Sequence, residues 1–294
     1  MKNIPMDEYR SADGLSNHEL QIFKESPSQY VWNKTAPSDP NKVGTSDMGT
    51  ALHAFLLEPD DYENQVDVAN VKGRNTVAFQ KQQLENPDKI ILTESEYEQV
   101  RIMGFSASHH PVFKELLEME GDCEHSIFVD CPETGLRLKI RPDKVCYPGV
   151  GLKPLYCDVK TTSSIDDWRS GKEWKNPLFE FGYGFTAAYY LYVGSIYHGV
   201  ELTEYAFPVV QTSASLGRYP VDVFIITKDD LMEIAYPDTK LTIWDDMIAT
   251  LLHFKSCVDN NNFNQMSQFP RFEYLRKDEF IDDVEVTFEG DENE

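Results

Sequence analysis

The stretch Leu136–Thr162 restricts the fold more than any other, because it places Asp143 in one predicted strand and Asp158 and Lys160 in the next. Leu155–Lys160 reads as a strand. Its period of two sends Tyr156, Asp158 and Lys160 to one face and Leu155, Cys157 and Val159 to the other. A carboxylate and an ammonium group then project side by side from one rigid element.

That arrangement suits phosphodiester cleavage. The reaction needs a more acidic water, charge stabilised on phosphate oxygens, and a neutralised leaving oxygen, all of which hard cations supply. Mg²⁺ binds through one or two carboxylates and keeps several waters, which leaves positions for the substrate. Asp143 and Asp158 fit this ligand role, and the main-chain carbonyl of Val159 is a further candidate donor. Lys160 is placed to acidify the attacking water or to stabilise charge on the transition state. Glu124 is a third candidate carboxylate. It precedes the apolar run Ser126–Val129, which should pair as a hairpin with Leu136–Ile140 across Pro132-Glu133-Thr134-Gly135.

An acidic residue two before a lysine also arises by chance, as in Glu173-Trp174-Lys175 and Asp238-Thr239-Lys240. Taken alone, the Asp158/Lys160 spacing is more often a surface ion pair worth about 0–1 kcal/mol. The hairpin and the preceding Arg141-Pro142-Asp143 shift the balance toward a catalytic strand.

The ordered set Glu124, Thr134-Gly135, Arg141-Pro142-Asp143 and Asp158-Val159-Lys160-Thr161-Thr162 resembles the RecE-type exonucleases (exodeoxyribonuclease VIII-like) of phages and prophages, within the PD-(D/E)xK nuclease superfamily. The likeness continues through Gly14-Leu15-Ser16-Asn17, Ser26–Tyr30, the histidine-bearing Met48–Pro59, and Phe181-Gly182-Tyr183 leading to Ala187-Ala188-Tyr189-Tyr190. It spans roughly residues 9 to 275, and its specificity lies in the order of the motifs.

The resemblance implies a metal-dependent deoxyribonuclease with Glu124, Asp143 and Asp158 around Mg²⁺, or Mn²⁺, and Lys160 as the catalytic lysine. It also implies a metal-proximal or phosphate-contacting His53, which by itself reads as a helix-packing histidine among Leu52, Phe55 and Leu56. Arg141, Thr161, Thr186 and Tyr190 are the candidate substrate contacts. Many relatives carry glutamine where this chain has Thr186. Helical spacing still puts Thr186 and Tyr190 on one face, while Tyr189 and Tyr192 read as packing residues. The implied substrate is linear double-stranded DNA, resected 5′ to 3′ by a homo-oligomeric ring that supplies a single-strand annealing protein. A non-catalytic module of the same fold that binds DNA ends or a recombination partner is the alternative, motivated by Thr186 and the acidic balance. An acidic DNA mimic that inhibits a basic enzyme is another.

Charge opposes DNA binding, which ordinarily rests on lysines and arginines that displace counterions. The formal net charge is −23. Asp278–Glu294 holds nine acidic residues and no basic ones, and reads as a flexible solvated tail. A DNA path then needs focused basic residues, for which Lys72, Arg74, Arg137, Lys139, Arg141, Arg169, Lys172 and Lys175 are candidates. Cys123, Cys131, Cys146, Cys157 and Cys257 are odd in number and lack CxxC spacing, which argues against a disulfide framework or a zinc site. Only Cys257 lies beyond the core, so the iron–sulfur cluster of some superfamily members is not expected. The polar start Met1–Pro5 and the lack of a long apolar stretch predict a cytoplasmic protein with no membrane span.

With 41% apolar residues, the chain is expected to form one α/β domain over residues 1–277, a mixed central β-sheet flanked by helices. Helices are predicted around His18–Glu25, Asp47–Leu57, Glu94–Phe105, Pro111–Met119, Phe179–Tyr197 and Leu241–Val258, the third starting at a Thr93/Glu96 capping box. Glu204–Val210 and Val221–Ile226 should form two further antiparallel strands.

Overall fold

Glu204–Gln211 reads almost continuously apolar because it is buried on both faces, and it runs through the main sheet. The computed structural model describes residues 4–37, 47–170, 175–236 and 239–263. The sheet runs in the order Val221–Thr227, Glu204–Gln211, Leu155–Cys157, Lys144–Cys146, Gly121–Cys123, with Lys160–Thr162 also beside Glu204–Gln211. Glu204–Gln211 is parallel to Leu155–Cys157 and Lys160–Thr162 and antiparallel to Val221–Thr227, so the sheet is mixed.

Helices cover both faces. On one, Tyr156, Tyr205, Phe207 and Val209 pack with Tyr189 of the helix Tyr183–His198 and Leu251 of Ile243–Asp259. On the other, Val159 and Val210 meet Leu52, Met103 and Phe113, from the helices Asp47–Leu57, Glu94–His109 and Pro111–Glu118. Gly104 permits the close approach of two of these helices, since a β-carbon there would lie 2.3 Å from the Phe55 ring. Thr93 and Glu96 form the expected capping box.

Three expectations need correction. Leu155–Lys160 is two strands rather than one, interrupted at Asp158 and Val159. The register is unbroken: Cys157 pairs with Ala206 and Lys160 with Val209, which puts Pro208 opposite Val159. The Asp158 N–H donates to the Ala206 carbonyl, but proline has no N–H to return to the Asp158 carbonyl, so the parallel ladder fails there while the facing of side chains is kept. Asp143 lies between the strands Arg137–Ile140 and Lys144–Cys146 rather than within one. The long helix begins at Tyr183 because Gly182 takes a left-handed φ of 65° and separates it from the short helix Pro177–Glu180.

The hairpin of Ile127–Asp130 and Arg137–Ile140 is present, but it belongs to a separate three-stranded sheet completed by Leu15–Ser16. A parallel pair, Val66–Ala69 and Ile90–Thr93, forms a third sheet. Among the described residues no helix is long and apolar enough to cross a membrane. The acidic tail, Asp278–Glu294, lies outside the described residues.

Lys139 was a candidate DNA contact, yet it is buried. Its Nζ donates to the carbonyls of Tyr9 (3.3 Å), Arg10 (3.2 Å) and Ala12 (2.7 Å), at the end of the helix Met6–Ser11. A cation suits the negative end of a helix, and here it fastens the N-terminal segment to the hairpin. Lys139→Met should lower stability by about 1–3 kcal/mol by stranding these acceptors, read as a lower urea midpoint. An unchanged midpoint would contradict this role.

Candidate metal and phosphate site

The interruption at Val159 leaves a peptide whose polar groups need partners, and side chains supply them. The Val159 N–H donates to Asp143 Oδ2 at 2.6 Å, and the Val159 carbonyl lies 2.9 Å from His53 Nε2. A carbonyl can only accept, so Nε2 carries the proton and Nδ1 of the neutral ring keeps its lone pair. Nδ1 lies 3.4 Å from Asp143 Oδ2. Burial, followed by the nearby Lys160 charge, lowers the His53 pKa to about 4, so the ring is neutral at physiological pH.

Glu124 follows the strand Gly121–Cys123 with a left-handed φ of 51°, an uncommon conformation for a residue other than glycine. Its N–H donates to the Asp143 carbonyl at 3.0 Å, which joins the two acidic residues through the backbone. Each of His53, Glu124 and Asp143 offers a ligand atom within 4.8 Å of the others. They open onto a cavity of about 620 Å³ that Tyr9, Glu58, Arg141 and Tyr190 also line.

Electrostatics distinguish the carboxylates. Burial, then repulsion from Asp158, pushes the Asp143 carboxyl well up. Burial also raises Glu124, although Arg141 pulls it back through a 2.8 Å bond from Nε to Oε2. Asp158 instead forms an ion pair with Lys160. Burial alone would lower the Lys160 pKa, but Asp158 and Asp143 outweigh it and hold the ammonium above its ordinary value. Lys160 Nζ also lies 5.1 Å from the Tyr183 ring centroid.

The candidate residues therefore fall into three groups. His53, Glu124 and Asp143 converge, while Asp158 and Lys160 stand beside them as a pair. The Val159 carbonyl is committed to His53. Tyr190 lines the cavity and donates to the Arg141 carbonyl at 3.3 Å. Arg141 reaches Glu124, Ser126 and the Ile4 carbonyl. Thr186 points away, its hydroxyl held by Asn17, Gln21 and the Gly182 carbonyl, and Thr161 lines a different cavity.

Sequence reasoning missed Glu58 and Tyr9. Glu58 lies five residues after His53, beyond the end of the same helix, and that proximity to a candidate ligand was the available signal. Tyr9 arrives because Lys139 and Arg141 fasten the N-terminal segment through its carbonyls, which no local pattern reveals. The expected basic channel is also largely neutralised. Arg74 pairs with Asp47 and Glu96, Arg137 with Asp130, and Arg169 with Asp166 and Asp222. Lys72 and Lys175 are exposed, and Lys172 lies outside the described residues.

No family model matches this sequence, and no curated protein does. Among solved structures, the chain is similar to the crystal structure of a provisionally assigned exonuclease from Eubacterium rectale. The TM-score is 0.50 at 12% identity, covering 94% of this chain and 95% of that one. What the two share is a fold. A second structure, SSO0001, gives a TM-score of 0.28 at 16% identity, covering 74% of this chain and 88% of that one, too weak a likeness to support an argument.

A carboxylate whose pKa is raised on folding destabilises the folded state increasingly as pH climbs from its unfolded value toward its folded one. In the presence of chelator, Asp143→Asn should therefore melt higher than the parent at pH 7, with the difference shrinking as pH falls toward about 4. Thermal melts across that range check this, and a less stable variant at pH 7 would contradict it.

Proposed function

We propose that this chain is a metal-dependent deoxyribonuclease, an exonuclease that resects linear double-stranded DNA. The observation that carries the reading is the convergence of His53, Glu124 and Asp143 on one cavity beside the Asp158/Lys160 pair. The donor set fits a hard cation: two carboxylates raised by burial, with a neutral imidazole whose Nε2–H is fixed by a carbonyl. His53, Glu124 and Asp143 would hold Mg²⁺, with Mn²⁺ as a substitute, and Asp158 stands next to them as a further carboxylate. When bound, the cation supplies Lewis acidity toward the phosphate and a more acidic water.

The remaining work falls to the protein. Lys160, kept protonated by Asp158 and Asp143, is a poor general base and a good partner for phosphate oxygens that gain charge. Asp158 fixes its position. Arg141 offsets part of the upward push that burial exerts on Glu124, and Tyr190 braces the Arg141 carbonyl. Tyr9 and the N-terminal helix wall the cavity and limit water around the phosphate.

Resemblance to the RecE-type exonucleases supplies the rest of the reading: 5′ to 3′ polarity, a ring around DNA, a 3′ overhang passed to a single-strand annealing protein, and a phage-encoded enzyme acting in the bacterial cytoplasm. A ring would also gather the exposed Lys72 and Lys175 of several copies despite the net charge of −23.

Linear duplex DNA labelled at either end, incubated with Mg²⁺ or Mn²⁺, tests this. The parent should release the 5′ label first, and Asp158→Ala and Lys160→Ala should each slow release at least about 100-fold. Cleavage by Lys160→Ala at the parental rate would refute its role. A parent that binds metal but cleaves nothing would point to a non-catalytic module.

A further inference from the structure

A second cavity, of about 480 Å³, is lined by Thr161, Ser163, Trp168, Phe181 and Tyr183, separate from the one that holds the metal cluster. Tyr183 joins the two regions, because its ring lies under the Lys160 ammonium and also lines this second space. Its wall is aromatic. Trp168 stacks on Tyr183 with centroids 5.6 Å apart and planes at 20°, and Trp168 stacks in turn on Phe224 at 5.3 Å and 20°. Phe181 stands at the rim, 58% exposed, with its ring 5.7 Å from that of Tyr183. The left-handed turn at Gly182 lets Phe181 and Tyr183 face the same space.

The cavity also has unused hydrogen-bonding capacity. Thr161 and Ser163 line it, and neither hydroxyl has a hydrogen-bond partner among the described residues. The indole N–H of Trp168 is buried and likewise unpartnered, although Trp168 itself is only 6% exposed.

Charge decides which part of a nucleotide fits. Among the described lining residues, Asp167 and Glu180 outnumber the one cation, Lys175, which disfavours a phosphate there. A flat, neutral, hydrogen-bonding group suits it. We propose that this cavity receives a nucleobase of the DNA strand whose phosphate lies at Lys160. The proposal rests on the nuclease reading for the identity of the strand. The base stacks against the exposed ring of Phe181, with the edge of Tyr183 behind it, while Thr161 and Ser163 meet its polar edge. Stacking tolerates every base, as an enzyme that moves along DNA requires.

A linear duplex carrying 2-aminopurine at each 5′ end tests the proposal, titrated in EDTA so that binding is read without turnover. The parent should quench the fluorescence saturably. Phe181→Ala, at an exposed position that does not threaten folding, should weaken binding by about 5-fold to 100-fold and lose the quench, and Phe181→Tyr should restore both. Binding seen by anisotropy with no quench overturns the base pocket, as does equal quenching by Phe181→Ala or no binding by the parent. End-label cleavage on the same proteins separates the two readings. Cleavage with no 2-aminopurine response rejects the pocket and keeps the nuclease. A quench lost in Phe181→Ala without any cleavage keeps the pocket and rejects the nuclease.

Discussion

The peptide at Val159 is the point on which the site depends. Pro208 cannot donate across the sheet, so the neighbouring strand breaks between Cys157 and Lys160 without losing register. The Val159 N–H and carbonyl face away from the strand of Pro208 and are taken by Asp143 and His53, side chains brought from a loop between strands and from a helix more than a hundred residues earlier. A buried peptide group left unbonded costs about 1–3 kcal/mol. The same two bonds that remove this cost also aim a carboxylate and an imidazole at a common point. Sheet, histidine helix and carboxylate loop are thus tied together through one residue whose side chain is merely apolar.

Around that point the protein accepts electrostatic cost. Asp143, Asp158 and Glu124 crowd a buried region served by Lys160 and Arg141, and both Asp143 and Glu124 are pushed upward by burial. An arrangement selected for stability alone would not gather carboxylates this way. It becomes reasonable where a divalent cation completes the charge balance, and strongly perturbed groups in a cavity are a recognised mark of function. The left-handed Glu124 adds backbone strain in the same place.

Much of this was legible in the sequence, for reasons that differ by residue. The facing of Asp158 and Lys160 follows from the period of a strand, and it survives the interruption because register is preserved. Helices with strong local signals, such as the one capped by Thr93, lie where expected. The strand break itself was hidden, since it is caused by Pro208, some fifty residues away in sequence and adjacent only after folding. Thr186 misled because helical spacing gives a shared face but not the neighbour that face meets, here Asn17 and Gln21. Lys139 resembled a surface cation and proved to be a buried clamp, a distinction that composition cannot make.

The central claim is that His53, Glu124 and Asp143 form a cation site. Calorimetric titration with Mn²⁺, comparing the parent with His53→Ala, Glu124→Ala and Asp143→Ala, tests it most directly. The account predicts saturable binding by the parent, weakened at least about tenfold in each variant. Binding that is absent in the parent, or indifferent to all three substitutions, would contradict it.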